Sequence, residues 1–201
     1  MSVNIYLIRH GKTLGAAALN GRTDVEVAKK TQQEICQKLL EQYEFTQVVS
    51  SPLSRCWELG KLLHQTKPSL SLQSVAAFQE LDFGRYDGVP YDELGENWRD
   101  LEAFWQAPEK VTLPGAEPLS LGFARVQLAW QQLVLGCQTD TALIAHGGTI
   151  RFILADVLGV NWANPKWYST LEIANQSVTH IEINRYQGET FFKVKTIGAR
   201  L

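Results

Sequence analysis

The sequence has no apolar run long enough to cross a bilayer. Its longest apolar stretch, around Ala142–Val160, is broken by His146, Arg151 and Asp156, whereas a spanning helix needs about 20 mostly apolar residues. Neither sign of charge is in excess. The formal net charge is -2, which argues against broad attraction to nucleic acid or membrane surfaces. Cysteine is scarce: Cys36, Cys56 and Cys137 are odd in number and far apart, without the Cys-x-x-Cys or Cys/His spacing of a zinc or redox site. Such free thiols fit a reducing cytosol. No basic, apolar leader precedes the first strand-like segment, so a cytoplasmic location is expected. Internal repeats and low-complexity tracts are missing too.

What remains is an ordinary globular balance. The chain has 201 residues, 45% apolar and 20% charged, enough for a single domain over 1–201 with a large core. Val3–Ile8 reads as a buried parallel strand and runs into Arg9-His10-Gly11. Lys29–Tyr43 has helical spacing, with Ile35, Leu39 and Leu40 on one side. Val48-Val49-Ser50 reads as a second strand. Ser51 is then expected as the N-cap and Pro52 as the first residue of a helix continuing over Leu53–His64. Ser71–Ala76 is expected as a third strand.

Residues 83–118 change character, punctuated by Gly84, Gly88, Pro90, Gly95, Pro108, Pro114, Gly115 and Pro118 and carrying Tyr86, Tyr91, Trp98, Phe104 and Trp105. They form either an irregular cap over a pocket or a surface insertion whose aromatics complete the core. Leu119–Leu135 follows as a helix closed by Gly136, then a strand at Thr141–Ala145. Ile150, Ile153, Leu154, Val157 and Leu158 keep helical spacing up to Gly159. Val178–Asn184 and Thr190–Thr196, joined at Gln187-Gly188, read as a hairpin whose exposed face could pair two copies into a homodimer. Alternating strands and helices imply an α/β fold: a three-layer α/β/α sandwich whose mainly parallel central sheet has an antiparallel element at its end.

Two strands end in histidine followed by glycine, at Ile8-Arg9-His10-Gly11 and Ala145-His146-Gly147-Gly148. Ligands of open α/β sheets bind at the carboxyl ends of strands, so neighbouring strands would turn both imidazoles into one pocket. Arg9 adjoins the first histidine, and Arg55 falls in the first turn of a helix, where free N–H groups favour an anion. Arginine's planar fork suits phosphate. Two arginines, two histidines and a helix N-terminus make a local cationic pocket, as a phosphate monoester requires. A tripeptide such as Arg-His-Gly arises by chance in roughly one chain in forty of this length, so the joint pattern matters. His64 and His180 lack such company and read as structural.

Leu7-Ile8-Arg9-His10-Gly11-Lys12-Thr13 resembles the signature of the histidine phosphatase superfamily, the phosphoglycerate mutase-like proteins. Three further blocks follow in that family's order: Ser50-Ser51-Pro52-Leu53-Ser54-Arg55-Cys56, then Glu80–Gly88, then Ala145–Arg151. Gly21-Arg22-Thr23-Asp24 resembles the loop after the first motif. The resemblance implies His10 as the nucleophile that becomes phosphohistidine. It implies Arg9, Arg55 and His146 as holders of the phosphoryl oxygens, and Glu80 as the proton donor and later the base. It extends the substrate contacts to Gly11, Thr13, Gly21, Arg22 and Gly147. Lys12 and Ala16 depart from the family's usual Glu and Asn.

The resemblance further implies a hydrolase acting on a small phosphorylated metabolite, without cofactor or metal. The stretch from Phe104-Trp105 to Phe123-Ala124-Arg125-Val126 is similar to the α-ribazole phosphatases, which act on α-ribazole 5′-phosphate in cobalamin assembly. Tyr91, Trp98 and Trp105 are candidates to stack on a benzimidazole ring. Three alternatives stay open: a broad-specificity small-metabolite phosphatase, a phosphoglycerate mutase (against which the chain's modest length speaks), and a non-catalytic phosphate-binding module.

Overall fold

A computed structural model describes residues 2–201. Six strands form one sheet: β1 (Ser2–Arg9), β2 (Gln47–Ser50), β3 (Ser71–Ser74), β4 (Thr141–Ala145), β5 (Ser177–Tyr186) and β6 (Glu189–Arg200), in the order β3-β2-β4-β1-β5-β6. Neighbours from β3 to β1 are parallel, while β5 and β6 run antiparallel. The sheet has the expected composition, mainly parallel with an antiparallel end.

The period-2 pattern of β1 explains the layering. Val3, Ile5 and Leu7 join one buried cluster with Val126, Trp130, Ile150 and Phe152, which come from α4 (Leu119–Gly136) and α5 (Gly147–Leu158). Tyr6 and Ile8 point the other way, into a cluster with Ile35, Leu39, Leu59 and Leu63 from α1 (Lys29–Gln42) and α2 (Ser54–Thr66). Helices therefore cover both faces. Full burial of each such side chain contributes about 1.5–3 kcal/mol.

The excursion after β3 holds short 3₁₀ turns and α3 (Trp98–Gln106). It has its own apolar cluster of Tyr86, Leu94, Leu101 and Leu113. Its aromatics thus divide between a local core and the neighbouring cleft. α6 (Pro165–Ser169), unmarked in the sequence reading, starts on Asn164, whose side chain accepts the Lys166 N–H at 3.0 Å.

Several boundaries differ from expectation. The α2 helix begins at Ser54, and Ser51 does not cap it. Asp24 takes that place from a distant loop, accepting the Ser54 N–H at 2.8 Å and its hydroxyl at 2.7 Å. β3 stops at Ser74, because Ala76–Phe78 turns into a 3₁₀ helix. Gly136 belongs to α4 instead of closing it, and the extended Cys137 (φ -72°, ψ 126°) ends that helix. Gly159, at φ 63°, is the left-handed cap of α5, where the helical spacing was expected to end. Among the described residues, no helix is long and apolar enough to cross a membrane.

Candidate active site

β1 and β4 are parallel neighbours in which Arg9 pairs with Ala145, so the two His-Gly junctions leave the sheet side by side. The His10 N–H still bonds Ala145 O at 3.2 Å. The two imidazole centroids lie 5.2 Å apart, edge to face. His10 is 7% exposed. Its Nδ1 lies 2.7 Å from Gly11 O; a carbonyl only accepts, so Nδ1 carries the proton and Nε2 keeps its lone pair. Burial, then the Arg55 charge, push the His10 pKa down to about 3, with Arg9 adding to this and the Gly11 bond opposing it. The ring is therefore neutral at any physiological pH.

Arg55 is fully buried, and its donors organise the neighbouring loop. Nη1 bonds Thr23 O at 2.9 Å, and Nη2 bonds Asn20 O at 2.9 Å and Gly21 O at 2.7 Å. Asp87 holds the same loop from the other side, accepting N–H groups from Gly21 (3.3 Å), Arg22 (2.9 Å), Thr23 (2.8 Å) and Phe83 (3.0 Å). Burial raises the Asp87 pKa, but its hydrogen bonds from Thr23, Phe83 and Arg22 outweigh that and hold it below the ordinary value. Gly21 is required by closeness: a Cβ there would overlap Leu81 O and Asp87.

Arg55 Nε also points at His146 Nδ1, 3.1 Å away. The other ring nitrogen, Nε2, lies 2.8 Å from Ser51 Oγ. Both nitrogens of His146 are thus engaged inside the protein. A phosphoryl oxygen would reach one of them only by displacing Ser51 or Arg55.

Glu80 lies against the first turn of α5. Its Oε2 accepts the Gly148 N–H at 3.0 Å, and Oε1 accepts the Leu81 N–H at 3.2 Å. Arg125 holds the chain before it, donating to Ala77 O at 2.7 Å and Gln79 O at 3.1 Å while forming a two-bond pair with Glu117.

A cleft of about 460 Å³ opens beside this group. Its polar floor is Arg9, Glu80, Gly147, Gly148 and Arg151; its walls include Leu19, Phe83, Phe104, Trp105, Leu119 and Tyr168. Arg9 donates to Ile173 O, and Arg151 to Leu171 O at 2.7 Å and Gly147 O at 3.2 Å. Among the described residues, neither arginine nor Arg55 has a carboxylate ion-pair partner, and the buried Nε atoms of Arg9 and Arg151 have no hydrogen-bond partner. Such an excess of buried cation favours an anionic ligand. Among the described residues, no group of three or more His, Cys, Asp or Glu is placed to hold a metal ion.

The structure brings His10, Arg9, Arg55, Glu80, His146, Gly11 and Gly147 together. Gly21 supports the site through its carbonyl. Thr13 instead bridges to Val27, and Arg22 lies exposed, paired with Asp82 at 3.0 Å. Of the three aromatics expected to stack, Trp105 reaches the cleft; Tyr91 and Trp98 pack edge to face behind it at 6.3 and 5.4 Å. Arg151, Gly148, Ser51 and Tyr168 were not expected as site residues, although the first three lie within or beside the motifs. Arg151 could have been, since it stands four residues after Gly147 and so above it on the same face of α5. His64 and His180 are structural, bonded to Leu70 O at 2.7 Å and Asn4 Oδ1 at 2.8 Å.

A family profile described as the histidine phosphatase superfamily (branch 1) matches residues 5–193. A probable phosphoglycerate mutase, GpmB, of Yersinia pestis (strain Pestoides F) is 26% identical over 167 residues, covering 79% of this chain and 76% of that protein. The two are thus of similar length, which removes the chain's length as an argument against mutase chemistry. Two solved structures share the fold. A mycobacterial glucosyl-3-phosphoglycerate phosphatase has TM-score 0.82 and 19% identity over 99% of this chain and 100% of that one. A putative alpha-ribazole-5'-P phosphatase from Escherichia coli (str. K-12 substr. MG1655) has TM-score 0.77 and 19% identity over 98% of each.

Proposed function

This chain belongs to the histidine phosphatase superfamily (branch 1), and from that membership we propose that it is a phosphomonoester hydrolase working through a phosphohistidine on His10. The observation that carries the proposal is the state of His10. Its proton is held on Nδ1 by Gly11 O, and the low pKa keeps the ring neutral. The Nε2 lone pair is therefore available next to cationic groups that favour phosphate.

In the first step Nε2 attacks phosphorus, an N–P bond forms, and the bond to the ester oxygen breaks. The Glu80 carboxyl gives its proton to the departing oxygen. In the second step the Glu80 carboxylate takes a proton from water, whose oxygen attacks phosphorus. The N–P bond breaks and inorganic phosphate leaves. Arg9 and Arg55 offset the charge spreading over the phosphoryl oxygens in both steps. Side chains supply the positive charge, so the reaction uses no metal and no cofactor.

The substrate we propose is α-ribazole 5′-phosphate, with a role in cobalamin nucleotide-loop assembly. The apolar and aromatic wall of the cleft, with Trp105 and Phe104 beside Glu80, supports an ester whose leaving group has a flat apolar face. A neighbour in fold is described as a putative phosphatase of that compound. Phosphoglycerates are the second reading, favoured by the relative described as a probable phosphoglycerate mutase. Phosphate release from α-ribazole 5′-phosphate, 3-phosphoglycerate, nucleoside monophosphates and an aryl phosphate, with His10→Ala as control, separates these. A dominant kcat/KM for α-ribazole 5′-phosphate supports the first reading. Similar slow rates on all esters leave the hydrolase and remove the cobalamin role. Bisphosphate-dependent exchange between phosphoglycerates supports the mutase.

A further inference from the structure

We infer that Ser51 is a positioning residue that fixes the tautomer and orientation of His146, and through it the guanidinium of Arg55. The inference follows from which atoms can donate. A guanidinium has five N–H donors and no acceptor. Arg55 Nε, 3.1 Å from His146 Nδ1, must donate, so Nδ1 must accept. A neutral imidazole then carries its proton on Nε2. That atom lies 2.8 Å from Ser51 Oγ, which accepts it.

The chain of partners has no slack. Ser51, Arg55 and His146 are all 0% exposed, so no solvent can take over a lost bond. Ser51 is itself fixed, because its N–H bonds Ile144 O at 3.0 Å on the neighbouring β4. The Cys56 thiol packs against the same ring, 3.6 Å from Nε2, and blocks rotation away from Ser51. Burial, with His10 and Arg55 next, keeps His146 well below its usual pKa, consistent with a neutral ring. Without the Ser51 acceptor, the Nε2 proton is left with only the Cys56 sulfur, a weak acceptor 3.6 Å away. A switch of the proton to Nδ1 would set it against Arg55 Nε–H, donor against donor. Either outcome shifts Arg55, whose other donors hold the carbonyls of Asn20, Gly21 and Thr23.

This rests on the hydrolase reading for its effect on rate, but not for the tautomer. The test uses ¹⁵N-histidine-labelled whole protein without substrate, with His146 assigned by loss of its signals in His146→Gln. We expect a protonated Nε2 and an unprotonated Nδ1 in the native protein. Ser51→Ala moves these resonances and lowers kcat about tenfold or more, as befits a poorly satisfied buried donor, and Ser51→Thr restores most of both. A native protein with the proton on Nδ1 overturns the inference, as does a Ser51→Ala protein with unmoved His146 resonances and unchanged kcat. If Ser51→Ala does not fold, the native tautomer alone decides. Full activity in His10→Ala would refute the phosphohistidine route and leave the tautomer result standing, whereas no phosphate release from any ester by the native protein would refute the hydrolase reading.

Discussion

Replacing Gly148 by alanine should separate catalysis from stability. Gly148 is the second residue of α5, where alanine is intrinsically better than glycine by at most about 1 kcal/mol, the helix-interior value. Helix propensity alone therefore predicts a more stable protein. The new Cβ, however, would overlap Glu80 Oε1 and lie 3.2 Å from Cδ. The carboxyl must swing away, and its 3.0 Å bond from the Gly148 N–H is lost. A hydrogen bond to a carboxyl group contributes about 0.5–3 kcal/mol, less here because Glu80 opens onto the cleft and regains water. The two effects nearly cancel, so Tm should move by no more than a few degrees, at about 2–4 °C per kcal/mol for a chain of this size. Catalysis should suffer far more, since a positioned acid–base group is worth about 10²–10⁴ in rate. Calorimetry and single-turnover kinetics on one preparation give both numbers. The loss should be greatest for alkyl esters, whose leaving oxygen needs a proton, and smaller in the first step for an aryl phosphate. A Gly148→Ala enzyme with native kcat on an alkyl ester would refute the role of Glu80, and a collapse in Tm would show that Gly148 serves packing instead.

Three further outcomes follow from the same geometry. Asp24→Ala should destabilise the protein by about 1 kcal/mol through loss of the α2 cap, read as a lower urea midpoint with unchanged slope. Because His10 is held at about 3 against an ordinary value near 6.5, the unfolded chain takes up the proton first as pH falls. Its stabilising contribution is complete above pH 6.5 and is lost progressively down to pH 3, totalling about 5 kcal/mol; His10→Asn should flatten that part of the stability–pH curve, and an unaltered slope would contradict the assignment. Trp105→Ala should raise KM for α-ribazole 5′-phosphate severalfold more than for a small alkyl phosphate, whereas Trp98→Ala, one ring removed from the cleft, should not discriminate.

The parts of the site that the sequence disclosed are those written locally. His10-Gly11 and His146-Gly147 sit at the ends of two apolar strands, and parallel pairing of those strands is enough to bring the imidazoles together. The layer order is equally legible, because strand alternation and helix spacing both depend on near neighbours. The helix caps were not. Ser51 followed by Pro52 has the form of a helix start, but the Ser51 hydroxyl is used by His146, 95 residues later. The cap that α2 does receive comes from Asp24, 30 residues before. Such bonds are decided by tertiary packing and leave no spacing to read. Gly136 shows the converse: a glycine at the end of an apolar period suggests a left-handed cap, yet the chain leaves α4 through an extended Cys137. The aromatic excursion was ambiguous for a similar reason, since composition does not say which rings turn inward. Leu101 and Tyr86 fill a local core, and Trp105 meets the cleft.

A phosphoryl group carried by His10 can be caught by rapid acid-free quenching of the enzyme during turnover, followed by peptide mass spectrometry. One phosphoryl group, labile to acid, should appear on the peptide containing His10, formed as fast as the first alcohol is released and absent from His10→Ala. Turnover that releases phosphate while His10 is never phosphorylated, or that inverts configuration at a chiral phosphorus as a single displacement by water must, would contradict the phosphohistidine route.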